Sequence, residues 1–380
     1  MRLLTRRWSG MILIGLLATV AAAVPTTASA AASRVDGHVY VDDNTTGTNT
    51  IAAFDRHADG TLTPQPGSPF VAGGAGTGTG LASQGAVQVS SDGRYLLAVD
   101  GGSNQVSVLR IKPDGGLRLV PGGVVSSGGV EPVSIAEHAG LVYIANAGNG
   151  GSNYAGFTLD PGGHLRPLAR STVSLPDGSQ PGDVLFNATG TNLVGTRIGT
   201  SLIDSFSVGQ DGRLTPAAGS PFAAGAAGPF GSEFRPTDPS QLFVSNAHAG
   251  SGSGSVSAFS VAADGALSAI GASPFADLQT APCWVEITRD GKFLFTTNTA
   301  SGTVSRYSIA SDGVLTLLGS TPAGAGPLDA RLSNDGENLY ILDGAIDAIS
   351  GFAVSGGTLT SLGAPFELPV GAAPAGVAVN

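Results

Sequence analysis

Apolar runs of four to seven residues, separated by short polar turns, recur along almost the whole chain. The clearest copy occupies residues 282–322. It reads Pro-Cys-Trp-Val-Glu-Ile, Lys-Phe-Leu-Phe-Thr-Thr-Asn, Thr-Val-Ser-Arg-Tyr-Ser-Ile and Val-Leu-Thr-Leu-Leu, with Asp-Gly, Thr-Ala-Ser-Gly and Asp-Gly between the runs. Short apolar runs with this punctuation predict strands joined by hairpin turns, so each copy reads as one four-stranded sheet. A lone sheet leaves its apolar faces in water and needs neighbours to stack on.

Two markers count the copies. The fourth run of each begins at a leucine after a glycine turn, at Leu62, Leu117, Leu165, Leu214, Leu267, Leu315 and Leu359. Their spacing of roughly 50 residues suits four strands plus connections. The second run ends at Asp43, Asp100, Asn146, Arg197, Asn246, Asn298 and Asp343. Asp and Asn start turns by bonding nearby backbone, and Arg197 is the exception. Seven copies predict an all-β, seven-bladed propeller.

First strands open at Pro132, Pro181, Pro229, Pro282, Pro327 and Pro374, with Gln84 in the equivalent place. The run from His38 is a second strand without a first, and residues 374–380 are a first strand without a second. Pairing the two would complete a blade and close the ring, leaving no open edge.

Arg2, Arg6 and Arg7, an apolar run from Met11 to Val24 and Ala28-Ser29-Ala30 predict a cleaved signal peptide over residues 1–30. The expectation is a secreted, extracellular, monomeric domain over residues 31–380 with no membrane span after processing, a retained anchor being the other reading. The chain is 42% hydrophobic and 12% charged, with 58 Gly and 23 Pro, which fits a packed, turn-rich protein. A net charge of −10 argues against a nucleic-acid partner, because phosphate contacts need clustered Lys and Arg. Cys283 is the one cysteine, so no internal disulfide supports the fold, and a buried unpaired thiol is usually inert. The histidines lack ligand spacing, and neither metal nor cofactor is expected. The run Gly73–Gly80 looks like a phosphate cradle, but no helix follows it and it reads as a flexible blade connection.

Gly67-Ser-Pro-Phe70, Gly219-Ser-Pro-Phe222 and Ser273-Pro-Phe275, with Leu-Phe-Val-Ser-Asn246, resemble the lactonase-type seven-bladed propellers, which include 6-phosphogluconolactonases and carboxymuconate cyclases. The resemblance runs from about residue 35 to 380 and implies a lactone hydrolase or cyclase. It also implies Arg and His after a first-strand proline, in a Gly-Pro-Arg-His sequence. This chain has Gly228-Pro-Phe-Gly231 there, and Gln180-Pro-Gly-Asp183 where a further His would stand.

Strand alternation turns the second and fourth residues after each opening proline toward the central channel. That places Asp183, Glu233, Trp284, Glu286, Asp329 and Arg331 around a small-molecule ligand or lactone. Crowded carboxylates in a dry channel raise one another's pKa and suit a cation, amine or proton, unless Arg331 neutralises them. Arg197 and His248, at equivalent turns of adjacent blades, are candidates for binding an anion, with exposed turn residues as the plainer reading. As an enzyme the chain would use Arg197, His248, Glu286 and Arg331 for catalysis and Asp183, Glu233, Trp284 and Asp329 for the ligand. The alternative is a noncatalytic propeller binding a small ligand, cation or protein partner.

Overall fold

The computed structural model describes residues 34–380, and the leader read over residues 1–30 lies outside them. Seven antiparallel sheets follow one another and form the blades of a propeller, numbered here in chain order. Blade 6 shows the plan: Pro282–Ile287 is innermost, followed outward by Phe293–Asn298, Thr303–Ile309 and Leu315–Pro322. Among the described residues no helix is long and apolar enough to cross a membrane.

The ring closes as the orphan strands imply. Gly376–Val379 lies antiparallel to Val35–Asp42, pairing Val379 with Val39 and Val377 with Val41. Alternate residues of the inner strands pack between blades, with Val87, Val184, Val285 and Val377 at most 1% exposed. Tyrosines of the second strands in blades 1, 2, 3 and 7 pin their blade to a turn of the next, as in Tyr40 to Gly115 O (2.9 Å) and Tyr340 to Gly60 O (2.8 Å).

The outer strand departs from the simple plan. In blades 1, 3, 4, 5 and 7 it is two pieces that both pair with the third strand, whereas blades 2 and 6 keep it whole. The Ser-Pro-Phe repeats mark the break in blades 1, 4 and 5. Ser68, Ser220 and Ser273 accept third-strand amides in the gap, from Ala53, Ser205 and Ala258.

The polar residues ending the second strands are ladder partners more than turn formers. Asp43, Asp100 and Asp343 each accept a hydroxyl seven residues on, from Thr50, Ser107 and Ser350. Arg197 follows the same spacing with the charges exchanged. Its Nε and Nη2 donate to both oxygens of Asp204 (2.6 and 2.5 Å).

The connection from blade 1 to blade 2 is ordered by its contacts, contrary to the flexible link expected from its glycines. Asn44 Nδ2 donates to Thr77 Oγ1 and Thr79 O, and a Cβ on Gly76 would collide with the Asn44 backbone.

Candidate functional site

The same connection then enters the channel. Gln84, expected merely to open a strand, donates its backbone N–H to Gly182 O in blade 4 (2.8 Å) and its Nε2 to Ser232 O in blade 5 (2.9 Å). Its Oε1 accepts Val285 N in blade 6 (3.0 Å), and Gly85 O accepts Ile135 N in blade 3 (2.9 Å). Trp284 Nε1 donates to Ser83 O (2.7 Å). Residues 83–85 thus satisfy inner-strand edges around much of the ring, where an open channel would need water. They plug the channel and divide the sequence-derived candidates into two groups.

Below the plug lie the charged residues. Four carboxylates reach forward to the next inner strand and accept its edge amides: Asp183 from Ser232, Glu233 from Ile287, Glu286 from Leu332 and Asp329 from Val377. Arg331 Nη1 meets Glu286 Oε1 at 2.9 Å, with side-chain exposures of 23% and 5%. Burial pushes Asp183 and Glu286 up to about 7 and Asp329 up to about 6, with Arg331 holding each back. Glu233 is raised well above its ordinary range, by burial and then by Glu286, and its Oε2 has no hydrogen-bond partner. Burial lowers the Arg331 pKa, but Glu286 and Asp329 outweigh it and raise it overall. Desolvation, more than mutual repulsion, therefore perturbs this cluster, and its hydrogen bonds join blade to blade. Arg331 also lines a cavity of about 300 Å³ on the lower face with Gln88, Asn334 and Asn380.

The raised carboxyls predict a stability that falls with pH. Asp43 near 7 and Asp100 and Asp343 near 6, all raised by burial, join the channel acids. Each binds its proton more tightly folded than unfolded, so its contribution is complete below about pH 4 and is lost as pH rises through 6 to 7. Calorimetry should show a stability lower by at least about 3 kcal/mol at pH 8 than at pH 5. A flat profile would mean that these groups ionise at no cost in the fold.

Above the plug is an apolar cap and, next to it, a cup. Trp284, 2% exposed, stands edge-on to Phe230 with centroids 5.2 Å apart, so it serves the plug and cap and presents no open face. Cys283 is buried beside it, its thiol pushed up to about 11 by burial. The cup encloses about 290 Å³ between blades 3, 4 and 5, with Ala82, Val133, Ile198 and Phe230 as apolar walls and Glu131, Asn149, Gln180 and His248 as polar groups. Those four polar residues are exposed, while Val133, Ile198 and Phe230 are buried.

Glu131 and Gln180 are held in a left-handed backbone, with φ of 56° and 47°. Both immediately precede an opening proline, as do Gly228, Ala281 and Gly326, also at positive φ. The reason is shared: each turns its carbonyl to accept the amide just past the end of the second strand, as in Ala147 N to Glu131 O and Ile198 N to Gln180 O. Glycine fits such a position freely, and another residue costs about 1 kcal/mol or more. Two of the three non-glycine residues at these positions carry polar side chains, and both line this cup. His248 lies over Gly228, where a Cβ would strike its ring.

Of the four catalytic candidates, only Glu286 and Arg331 touch one another. Arg197 is taken up by Asp204, and His248 stands on the cup rim. Sequence reasoning missed Glu131, Asn149 and Gln180. For Glu131 and Gln180 the available signal was a bulky polar residue before a strand-opening proline, where blades 5, 6 and 7 use Gly228, Ala281 and Gly326. Among the described residues no group of three or more His, Cys, Asp or Glu could hold a metal ion.

Residues 234–328 match the family model described as lactonase, 7-bladed beta-propeller. A structure from Bacteroides uniformis, provisionally identified as a 6-phosphogluconolactonase, superposes with TM-score 0.74 at 20% identity over 91% of this chain and 100% of that one. The periplasmic gluconolactonase of Pseudomonas aeruginosa gives TM-score 0.70 at 18% identity over 90% and 98% of the two chains. At such identities the likeness is one of fold. No curated protein sequence matches the chain.

Proposed function

We propose that this lactonase-type seven-bladed propeller is an exported hydrolase that opens lactones in the cup above the channel plug. The observation that carries the reading is the pair Glu131 and Gln180, kept in left-handed backbone on the rim of an apolar cup that His248 also lines. Strained backbone held at a cleft is a mark of functional sites. His248 serves as general base, taking a proton from the water that attacks the lactone carbonyl carbon. The ring C–O bond then breaks, and the departing alkoxide takes that proton, leaving a hydroxy acid. Side-chain amides of Gln180 and Asn149 supply donors for the carbonyl oxygen as it gains charge. Phe230 occupies the place where the resemblance implies an arginine, so the site is altered from that pattern. Glu286 and Arg331, below the plug, belong to the scaffold in this reading, and export rests on the leader at residues 1–30.

His248→Ala should lower kcat/KM for lactone opening by about 100-fold or more while leaving the thermal transition in place, since the side chain is exposed. Unchanged turnover in that variant would remove His248 and this cup from the chemistry.

A further inference from the structure

We infer that the cup takes an uncharged lactone with an apolar ring or tail, and excludes lactones carrying phosphate or carboxylate. The inference rests on the hydrolase reading for its reaction and on the cup alone for its selectivity. No Lys or Arg lines the cavity, whose walls include Ala82, Val133, Ala147, Ile198 and Phe230. The guanidinium next in sequence, that of Arg197, already spends Nε and Nη2 on Asp204, at 2.6 and 2.5 Å. Turning it to a ligand would leave Asp204, with 4% side-chain exposure, without its cation. The rim instead carries Glu131, which forms no ion pair among the described residues. An anion seated here would lose water, meet a carboxylate and find no countercharge.

The floor also resists rearrangement. Phe230 is 5% exposed and backed by Trp284, whose indole N–H is fixed to Ser83 O, and Ala82 directly precedes the plug that Gln84 anchors. The cup therefore ends at an apolar wall and is sized for a small ring with a short tail. Burying such a tail gains about four-fold in binding per methylene until the space is filled.

The test is steady-state hydrolysis by the full chain of δ-valerolactone, a series of its 5-alkyl homologues and 6-phosphoglucono-δ-lactone, with calorimetric titration of the matching lactams. The inference expects kcat/KM to climb about four-fold per methylene over the first members. It expects the phosphorylated lactone to fall at least about 100-fold below the alkyl lactones. Phe230→Arg should flatten the alkyl series and narrow the gap to the phosphorylated lactone, and Glu131→Gln, on the exposed rim, should narrow it without disturbing the fold. Equal or better turnover of the phosphorylated lactone through His248 would overturn the inference and leave the hydrolase reading standing. If no lactone is opened, the hydrolase reading falls and the lactams decide: tighter binding with tail length upholds the selectivity, and absence of binding or indifference to the tail overturns it.

Discussion

A chain lacking residues 374–380 should fail to give a soluble monomer with a cooperative melt. The missing strand carries Val377, Ala378 and Val379, all at most 8% exposed, and its pairing with Val39 to Asp42 gives blade 1 its innermost strand. Deletion also removes Val377 N from Asp329 and Asn380 Oδ1 from His38 N. Three buried side chains and these bonds together amount to about 5 kcal/mol or more, comparable with the whole stability of many domains. The exposed edge of Val35–Asp42 would then recruit other chains. Asn380→Ala provides the graded control, costing only about 1 kcal/mol. Size-exclusion chromatography with light scattering and a thermal melt check both variants, and a truncated protein that stays monomeric with an unchanged melt would refute closure by this strand.

Arg331→Met should be the most damaging single substitution in the channel, and its cost should depend on pH. The change removes the one cation beside Asp183, Glu233, Glu286 and Asp329 while keeping a long apolar stem. At pH 8 the loss should reach about 3 to 5 kcal/mol, the usual result of leaving a buried charge without its partner. At pH 5, below the raised values of about 7 for Asp183 and Glu286 and about 6 for Asp329, these acids carry their protons and have less need of Arg331. The difference between variant and parent, measured by denaturant unfolding at the two pH values, should shrink by at least half. Equal losses at both would assign Arg331 a packing role only.

The cup prediction has a different character, because a function can fail there while the fold survives. His248, Glu131, Asn149 and Gln180 are exposed and can be changed without opening the core. Gly228→Ala combines positive φ with a collision against the His248 ring, and so tests positioning of that ring through backbone alone.

Strand alternation correctly brought Glu286 and Arg331 together, since both occupy the same inner-strand position of successive blades and the propeller repeat places such positions side by side. It did not foresee that Trp284 would be buried against Phe230 and Ser83, because the phase of a strand says which way a side chain points and not what already fills the space. It gave no hint that Gln84 would bridge three blades, or that the channel acids would cap the amides of their neighbours. Arg197 looked like a broken pattern, yet it keeps the pattern with its charges exchanged, which becomes visible only once Asp204 lies opposite it.

Strand positions, blade number and the two half-blades that close the ring were determined by the sequence alone. These follow from local alternation and turn chemistry, which act over a few residues and repeat seven times. Tertiary structure alone decided which parts of the channel are filled and which spaces stay open. The plug, the cup and the residues lining it come from segments far apart in the chain, brought together by ring closure and by the need of every inner-strand edge for a hydrogen-bond partner.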